Sequence, residues 1–598
     1  MFQNLVKSGR TLKNYSIAIA RRMMAYDTAP ATSEATTAVR AEESMSSKTS
    51  EAVGGEASKA ANDKIIHRVK VLNLPTHEVA NVKKLFTSLG LKRHKKAPAW
   101  DYAFLTFETE EAAKEAMEKL NGLEFKKQKL ATEYITISEE AYRKRFQGKK
   151  RTADEAQQED TRPPAERLAD QVTPLHKMPY EKQLQKKHKI GLKHLTTLKR
   201  KISQLTDLSD NAKAQIAWAF QKGPDLPFEV LDPIASPDVY GYRSKCEFTI
   251  GRNPDGERTV GFLLGLYRHG ITSVLSPESC LHVPDVSKRI AKAMEDYVRE
   301  SDYDVYDRVD KVGVWRTMMV KAQRTGDVLI LIQLKSAEMT DEQLAAEKEK
   351  LVAYWSSFKD KPESERINVS TLLLQVWNGD SNGVTDKGQT EVLLGDGYVY
   401  EELLGCRFRI SSSAFFQINT AATELLYKKC AEWCNIDASK KTTLLDLCCG
   451  TGTIGITMAK SVDRVVGIEM VPDAIVDAKA NAELNNVTNV TYYASKVEDK
   501  IDIVSNESNE DVVAVLDPPR NGVHSSVIRA VRESPQIQRV VFISCDANQA
   551  MQNFISLCRP TSNRFRGLPF KPTRAVSIDL FPHTDHCELM IEFVRIKE

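Results

Sequence analysis

Residues 444–455 read LLDLCCGTGTIG, an apolar strand that runs into a glycine-rich turn. Glycines at such a turn let backbone N–H groups approach a ligand closely at the N-terminus of the helix that follows. Outward from this turn, strands and helices alternate to the end of the chain, which predicts a parallel, doubly wound sheet. Because dinucleotide-binding enzymes share the G-x-G-x-x-G spacing, the turn alone does not identify the ligand.

The next strand ends in an acidic residue. Residues 464–468 are mainly apolar, and Glu469 follows them, nineteen residues after Gly450. An acid at this point of a doubly wound sheet binds ribose hydroxyls. The two features together predict a cofactor that contains a nucleoside, and both NAD and S-adenosylmethionine fit it.

A later strand of this domain, residues 512–516, ends in Asp517-Pro518-Pro519-Arg520. An Asp-Pro-Pro step at the carboxyl end of the fourth strand resembles the substrate-side motif of nucleic-acid methyltransferases. Enzymes that methylate exocyclic amines carry an aromatic residue after the prolines, and the cytosine carbon-5 families carry a cysteine there. Arg520 occupies that position here, so the motif favours S-adenosylmethionine as cofactor and disfavours both of these substrates.

Two later segments complete the pattern. The strand in FISCDANQ (542–549) ends at Cys545, at the edge of the sheet where ligands bind in open α/β folds. DLFPHTDHCE (579–588) leads into the final strand. With LDPPRNGV (516–523) and the upstream SSSAFFQIN (411–419), these motifs resemble the RNA uridine-5-methyltransferase family from roughly Tyr242 to the end of the chain.

The resemblance implies how the reaction proceeds and which residues carry it out. The family's nucleophile falls on Cys545, which adds to uracil carbon 6 and makes carbon 5 able to take a methyl group. Its base falls on Glu588, which then removes the carbon-5 proton so that the thiolate can leave. A free thiol has a pKa of about 8.5, so the surroundings of Cys545 must activate it.

The resemblance also implies S-adenosylmethionine as the cofactor. The positions that match its binding site are Gln417, Asp446, Cys448, Gly450, Gly452, Thr453, Glu469 and Asp517. Relatives often carry an aromatic residue and an asparagine at the positions of Cys448 and Thr453. Cofactor contacts made by the glycine backbone do not depend on those side chains. Asp517 faces the cofactor, the uracil or both. Phe415 and Phe416 are expected in the core.

No metal is expected. His583, His586 and Cys587 are close in sequence, but neighbouring positions of an extended run point to opposite faces. Some bacterial relatives bind an iron–sulfur cluster through four upstream cysteines, whereas only Cys246 and Cys280 precede residue 400 here.

The N-terminal part carries a second pattern, β-α-β-β-α-β over roughly 70 residues, which resembles an RNA-recognition motif. Tyr102 and Phe104 match the positions whose aromatic rings stack on bases, and Arg520 is a further candidate for RNA contact. Lys70 replaces the usual first-strand aromatic residue. A protein-binding or structural module of the same fold is the alternative.

The fold class is therefore α/β, with a C-terminal doubly wound, Rossmann-like methyltransferase domain behind an α+β domain and a ferredoxin-like RNA-recognition motif. The predicted domains are a disordered tail or linker (1–63), the RNA-recognition motif (64–137), a charged helical linker (138–227), a central α+β RNA-binding domain (228–400) and the methyltransferase domain (401–598). The lysines and arginines of 186–201 fit either phosphate contacts or a solvated helix face.

Composition limits the remaining choices. The net charge of +3 is close to neutral, and no run approaches about 18 apolar residues, so no membrane span is expected. The scattered cysteines fit free thiols in the cytoplasm or nucleus. The basic residues before Asp27 fit either a mitochondrial presequence or a basic tail.

The expected partner is tRNA, with its T-loop uridine as target or another structured RNA in its place, and no obligate protein partner is evident. An animal branch of the family carries an RNA-recognition motif in the same position. The competing interpretation is an RNA-binding or RNA-folding protein on an inactive methyltransferase scaffold. Intact Cys545, Glu588, Asp517 and glycine loop argue against that alternative.

Overall fold

The computed structural model divides the chain into two compact units, Met1–Ser138 and Glu139–Glu598. It describes residues 65–598 apart from 77, 92–93, 97–99, 108, 127, 139–161, 224–225, 266–271, 309, 382, 502–510 and 598. The expected tail, linker and import signal (1–63) and residues 139–161 of the charged segment lie outside the described residues.

The N-terminal unit is a four-stranded antiparallel sheet with two helices. Its strands β1–β6 are Ile65–Leu72, His94–Lys95, Ala103–Phe107, Glu124–Phe125, Gln128–Lys129 and Ala131–Ser138, and its helices α1 and α2 are Val79–Ser88 and Glu110–Leu120. The sheet order is β2-β3-β1-β6, and β4 pairs with β5 in a separate hairpin. Val69 and Leu105 of the sheet share one core with Phe86 and Leu120 of the helices. The predicted ferredoxin-like fold is confirmed.

The middle of the chain forms a seven-stranded sheet in the order β10-β9-β8-β11-β12-β13-β14. Strands β8–β14 are Lys245–Arg252, Arg258–Leu263, Val274–Leu275, Trp315–Ala322, Val328–Leu334, Val369–Val376 and Gln389–Leu394, and helices α7 and α8 are Asp285–Glu300 and Asp341–Ser356. Every residue of β12 is buried, which explains its unbroken apolar run VLILIQL. Helix α8 links β12 to its parallel neighbour β13. This is the predicted α+β domain.

The C-terminal sheet has eight strands in the order β19-β18-β17-β20-β21-β23-β22-β7. β7 is Glu229–Val230, and β15–β23 are Tyr398–Leu403, Cys406–Ser411, Thr442–Leu447, Arg464–Glu469, Val490–Ala494, Asp511–Leu516, Ile537–Ser544, Phe570–Ile578 and Glu588–Arg595. Helices α9–α13 are Thr420–Cys434, Thr453–Met458, Pro472–Leu484, Ser525–Glu533 and Ala547–Cys558. β17 to β21 are parallel, whereas β23 is antiparallel to both of its neighbours. The doubly wound prediction is confirmed, with an antiparallel pair added.

Among the described residues, four helices lie between β6 and the central sheet. These helices, α3–α6, are Pro164–Val172, Tyr180–Ser203, Asp210–Gln215 and Ala217–Phe220. Leu195, Leu198 and Ile202 of α4 join the core that contains α13 and the C-terminal sheet. A Cβ added at Gly191 would lie 2.6 Å from Ser577 Oγ, so the helix approaches β22 very closely there. Helix α4, which lies in the predicted charged helical linker, is therefore a packed layer of the C-terminal unit.

Helix α4 also holds the segment 579–587, which we call the return loop. Lys187 Nζ lies 2.6 Å from Asp579 Oδ1 and donates a hydrogen bond to the Phe581 carbonyl at 2.9 Å. Both side chains of this ion pair are fully buried. One turn earlier, Gln183 Oε1 accepts from the His583 backbone N–H at 2.7 Å. The helix therefore fixes the conformation of the loop that leads to Glu588.

We expect Lys187→Met to lower the free energy of unfolding by about 3–5 kcal/mol, because it leaves the buried Asp579 carboxylate without its cation. Urea denaturation of the full chain, followed by tryptophan fluorescence, measures the loss. Lys186→Met is the matched control: its pair with Asp585 is exposed, and such pairs contribute about 0–1 kcal/mol. Equal losses in the two variants would contradict a structural role for the buried pair.

Candidate active site

The glycine turn is a sharp reversal built from three left-handed residues. Cys448, Gly450 and Gly452 have φ angles of 66°, 52° and 79°. A Cβ at Gly452 would lie 2.4 Å from the hydroxyl of Tyr492, so both the space and the backbone angle require glycine there. The reversal sets the first turn of α10 directly at the carboxyl end of β17, with backbone N–H groups at its N-terminus.

Asp446 supports this turn from inside. Its side chain is buried, and its Oδ2 accepts a hydrogen bond from the Gly455 backbone N–H at 2.9 Å. Burial raises the pKa of Asp446 to about 7, and the negative charges of Asp517 and Glu469 add to the shift. Asp446 therefore stabilises the glycine turn from its buried side. Thr453 is held in a similar way, 3.0 Å from the Tyr427 hydroxyl.

Glu469 lies at the mouth of the same turn. Its two carboxylate oxygens accept from the backbone N–H groups of Gly450, at 3.2 Å, and Val471, at 3.0 Å. Met470 and Val471, which follow it, are 66% and 51% exposed despite being apolar. A carboxylate, a glycine backbone and an exposed apolar patch together fit a nucleoside. The apolar pair escaped the sequence analysis, although its position after the acid was a usable signal.

The SSSAFFQIN segment reaches the site from the other side. Lys321 Nζ donates to the carbonyls of Ser411 and Ala414 at 2.7 and 2.8 Å, which fixes the start of the segment. Gln417 Nε2 then lies 3.4 Å from Asp517 Oδ2. Burial raises the pKa of Asp517 to about 7, and the hydrogen bond from Gln417 opposes that shift. The structure thus brings these two predicted residues together.

Phe415 corrects one expectation. Its side chain is 72% exposed, so the prediction that it belongs to the core is wrong. Its neighbour Phe416 does pack partly against the core. The two rings differ because Phe415 lies on the open side of a segment that Lys321 and Asn419 tie to the protein. Asn419 Nδ2 donates to the Leu580 carbonyl at 3.1 Å and so joins this segment to the return loop.

Cys545 and Glu588 come together through strand register. Ser544 pairs with Leu589 in the antiparallel pair β21–β23, so the next position on each strand sets Cys545 beside Glu588. Asp546 then caps α13 by accepting from the N–H groups of Asn548 and Gln549, both at 3.1 Å. This cap ends the strand, and Cys545 is left half-buried at the carboxyl edge of the sheet.

The electrostatics of this pair oppose ionisation. Burial raises the pKa of Cys545 to about 12, with Glu588 and Asp517 adding to the shift and Arg520 opposing it. Burial also raises the pKa of Glu588 well above its usual value, again with Asp517 adding and Arg520 opposing. Within the described residues, Glu588 Oε2 has no hydrogen-bond partner although it is buried. A polar group of a ligand can satisfy that oxygen.

In the N-terminal unit, the predicted base-stacking residues form a row of rings. The ring centroids of Trp100 and Tyr102 are 4.9 Å apart and stacked, and those of Tyr102 and Phe104 are 5.5 Å apart. The Arg68 guanidinium lies 4.0 Å from the Phe104 centroid, and Lys70 Nζ lies 5.3 Å from the Tyr102 centroid. An aromatic row with two cations is suited to a single strand of nucleic acid.

The residues considered as metal ligands have other contacts. His583 Nδ1 lies 3.1 Å from Gln183 Nε2, and Cys587 Sγ lies 3.2 Å from the Ile578 carbonyl. Across the described ranges, no three His, Cys, Asp or Glu side chains are grouped as metal ligands. In the same part of the chain, no helix combines the length and the apolar character that crossing a membrane requires.

Two family models match separate parts of the chain. A family model described as tRNA (Uracil-5-)-methyltransferase matches residues 353–595, and one described as RNA recognition motif matches residues 81–131. A solved structure, tRNA (uracil-54, C5)-methyltransferase of Pyrococcus abyssi in complex with S-adenosyl-L-homocysteine, aligns with 70% of this chain and 84% of its own, at 20% identity and a TM-score of 0.49.

Curated relatives cover most of the chain. The human tRNA (uracil-5-)-methyltransferase homolog A is 34% identical over 89% of this chain and 83% of its own length. Homolog B of Danio rerio is 36% identical over 72% of this chain and 87% of its own length. The resemblance drawn from the motifs is thereby confirmed, and the chain belongs to the tRNA (uracil-5-)-methyltransferase family.

Proposed function

We propose that this protein transfers a methyl group from S-adenosylmethionine to carbon 5 of a uridine in tRNA, with the T-loop uridine as target. The observation that carries the proposal is the register that sets Cys545 beside Glu588, at the sheet edge that also carries the glycine turn. Membership of the family and the printed activity of its relatives support it.

The cofactor site follows from the residues around the turn. The backbone of Gly450 and Gly452 would allow a bound cofactor to approach closely, and the Glu469 carboxylate would accept hydrogen bonds from its ribose hydroxyls. Met470 and Val471 offer apolar surface for the adenine. When bound, S-adenosylmethionine supplies the methyl group as an activated sulfonium substituent.

Catalysis by the chain's own residues takes two steps. The Cys545 thiolate adds to uracil carbon 6, and the electron pair of the carbon 5–carbon 6 double bond then makes carbon 5 nucleophilic toward the methyl group. Glu588 next takes the proton from carbon 5, the double bond re-forms, and the sulfur–carbon bond breaks to regenerate the thiolate. The unpaired Glu588 Oε2 is the oxygen available for that proton.

The target base has to leave its stack before Cys545 can reach carbon 6. The exposed ring of Phe415, two residues before Gln417, offers a surface on which an unstacked base can rest. Arg520 is exposed and is the cation that opposes the pKa shifts of both Cys545 and Glu588. Arg520 can therefore bind a phosphate of the RNA at the crevice and stabilise the Cys545 thiolate.

A covalent adduct tests the proposal directly. Fluorine at carbon 5 cannot leave as a proton, so a tRNA transcript containing 5-fluorouridine, incubated with S-adenosylmethionine, should form an adduct that survives denaturing electrophoresis. Cys545→Ala should abolish the band, whereas Cys406→Ala, a half-buried thiol in the β15–β16 hairpin, should retain it. Cofactor binding without an adduct on several RNAs would favour the inactive-scaffold alternative.

The base can be tested with unmodified tRNA. Glu588→Gln should lower the rate of methylation about 10²–10⁴-fold, and the adduct should now accumulate on ordinary uridine because nothing removes the carbon-5 proton. Glu533→Gln, an exposed carboxylate on α12, is the matched control and should leave the rate unchanged. A slow variant that accumulates no adduct would assign Glu588 to an earlier step.

The raised pKa values also predict a pH profile. Because the free chain keeps Cys545 as a thiol and Glu588 protonated, both required ionised forms increase as the pH rises. We expect kcat/KM for tRNA, which reports the free enzyme, to increase continuously from pH 6 to pH 9. A rate that is constant over this pH range would show instead that both groups are already ionised in the free chain.

A further inference from the structure

We propose that the outward side of helix α4 is a binding site for the phosphates of the RNA substrate. Its members, which we call the cationic face, are Lys182, Lys186, Lys189, Lys193 and Arg200. The inference rests on the proposed function and deepens it, because it names the surface that receives the backbone of the RNA beside the reacting base.

Helical spacing puts these cations on one side. They follow one another at intervals of three, four or seven residues, so they share a single face of the helix. The buried residues of α4 form the opposite face, and they are Gln183, Lys187, Gly191, Leu195, Leu198 and Ile202. The cationic face runs for about 27 Å at 1.5 Å per residue, enough for several phosphate contacts.

The charge of this face is largely uncompensated. Helix α4 contains eight Lys and Arg residues and one acidic residue, Glu181. Lys189, Lys193 and Arg200 are exposed, and in the described part of the chain none of them forms an ion pair. A helix that only needed to be soluble would be expected to mix both signs, as exposed helix faces commonly do. The excess of one sign fits a polyanionic partner.

The cationic face borders both segments that carry catalytic residues. Lys186 Nζ lies 2.7 Å from Asp585 Oδ1, three residues before Glu588 in the return loop. Further along, α4 packs against α13, which begins directly after Asp546. Burial lowers the pKa of His194. The negative charge of Asp546 raises that pKa, and the positive charge of Lys193 lowers it. Phosphates bound to this face therefore lie close to the nucleophile and the base.

The partner is RNA rather than a membrane surface. A helix that lies on a membrane inserts its apolar face among the lipids. In α4, Leu195, Leu198 and Ile202 are instead buried in the core of the C-terminal unit, and Leu184, Ile190 and Leu192 are partly buried. The outward face offers only point charges, which bind phosphates and position the RNA without reading its sequence.

The test is a triple variant of the full chain, Lys189→Gln/Lys193→Gln/Arg200→Gln, which spares the pairs of Lys186 and Lys187. Binding to a tRNA transcript is measured as a function of KCl concentration without cofactor, and methylation is measured separately. We expect the Kd and KM for tRNA at 0.15 M salt to rise about tenfold or more, with kcat and S-adenosylmethionine binding unchanged. The slope of log K against log salt should fall by about 2–3.

A second triple variant, Lys428→Gln/Lys441→Gln/Lys479→Gln, is the matched control, because it removes the same charge from exposed positions elsewhere on the C-terminal unit. Unchanged affinity and salt slope in the α4 variant, or an equal loss in the control, would overturn the inference. Vesicles containing phosphatidylserine give a further outcome. Loss of vesicle binding alone, with tRNA affinity intact, would assign the face to a membrane.

The two proposals fail separately. In one case, tRNA binding is salt-dependent and requires the α4 cations, but the unaltered chain methylates no uridine. That result would refute the proposed function and leave the cationic face in place. In the other case, the unaltered chain and the α4 variant methylate uridine with the same KM for tRNA. That result would refute the cationic face and agree with the proposed function.

Discussion

The antiparallel pairing of β21 with β23 is the constraint on which the site depends. In a purely parallel sheet, only the residues that follow the ends of the strands would lie at the carboxyl edge of the sheet. Because β23 runs the other way, its first residue, Glu588, reaches that edge as the strand begins. Cys545 and Glu588, the proposed nucleophile and base, therefore lie at the end of one strand and the start of its neighbour, and backbone hydrogen bonds set their separation.

A second constraint is electrostatic. Asp517, Glu588 and the Cys545 thiol share a partly desolvated edge, and Arg520 is the cation that opposes the pKa shifts of both the thiol and Glu588. Concentrating acids in this way destabilises the thiolate in the free chain. Such an arrangement is costly until positive charge or hydrogen-bond donors arrive with the substrates. In the free protein these charges therefore favour the protonated thiol of Cys545, the proposed nucleophile.

Sequence patterns predicted the sheet class, the glycine turn and the position of Cys545 at the carboxyl edge of the sheet, because these depend on local spacing and motif. They failed for Phe415, whose exposure depends on how Lys321 ties a distant segment in place. They also failed for Lys187, which reads as one more charge in a basic run until its partner 392 residues away is known. Contacts of that length leave no trace in local periodicity.

The same long-range contact has a consequence for how the chain is made. Strand β7 belongs to a sheet that also needs β22 and β23, which follow it much later in the chain, and helix α4 packs against that sheet. At about 5–20 residues per second, α4 leaves the ribosome roughly 20–80 s before Asp579 exists. During that interval its apolar side and the Lys187 ammonium must remain exposed to solvent or be shielded by other proteins. Cys545 and Glu588 can therefore come together only after β23 has been synthesised, whereas the central sheet can form earlier.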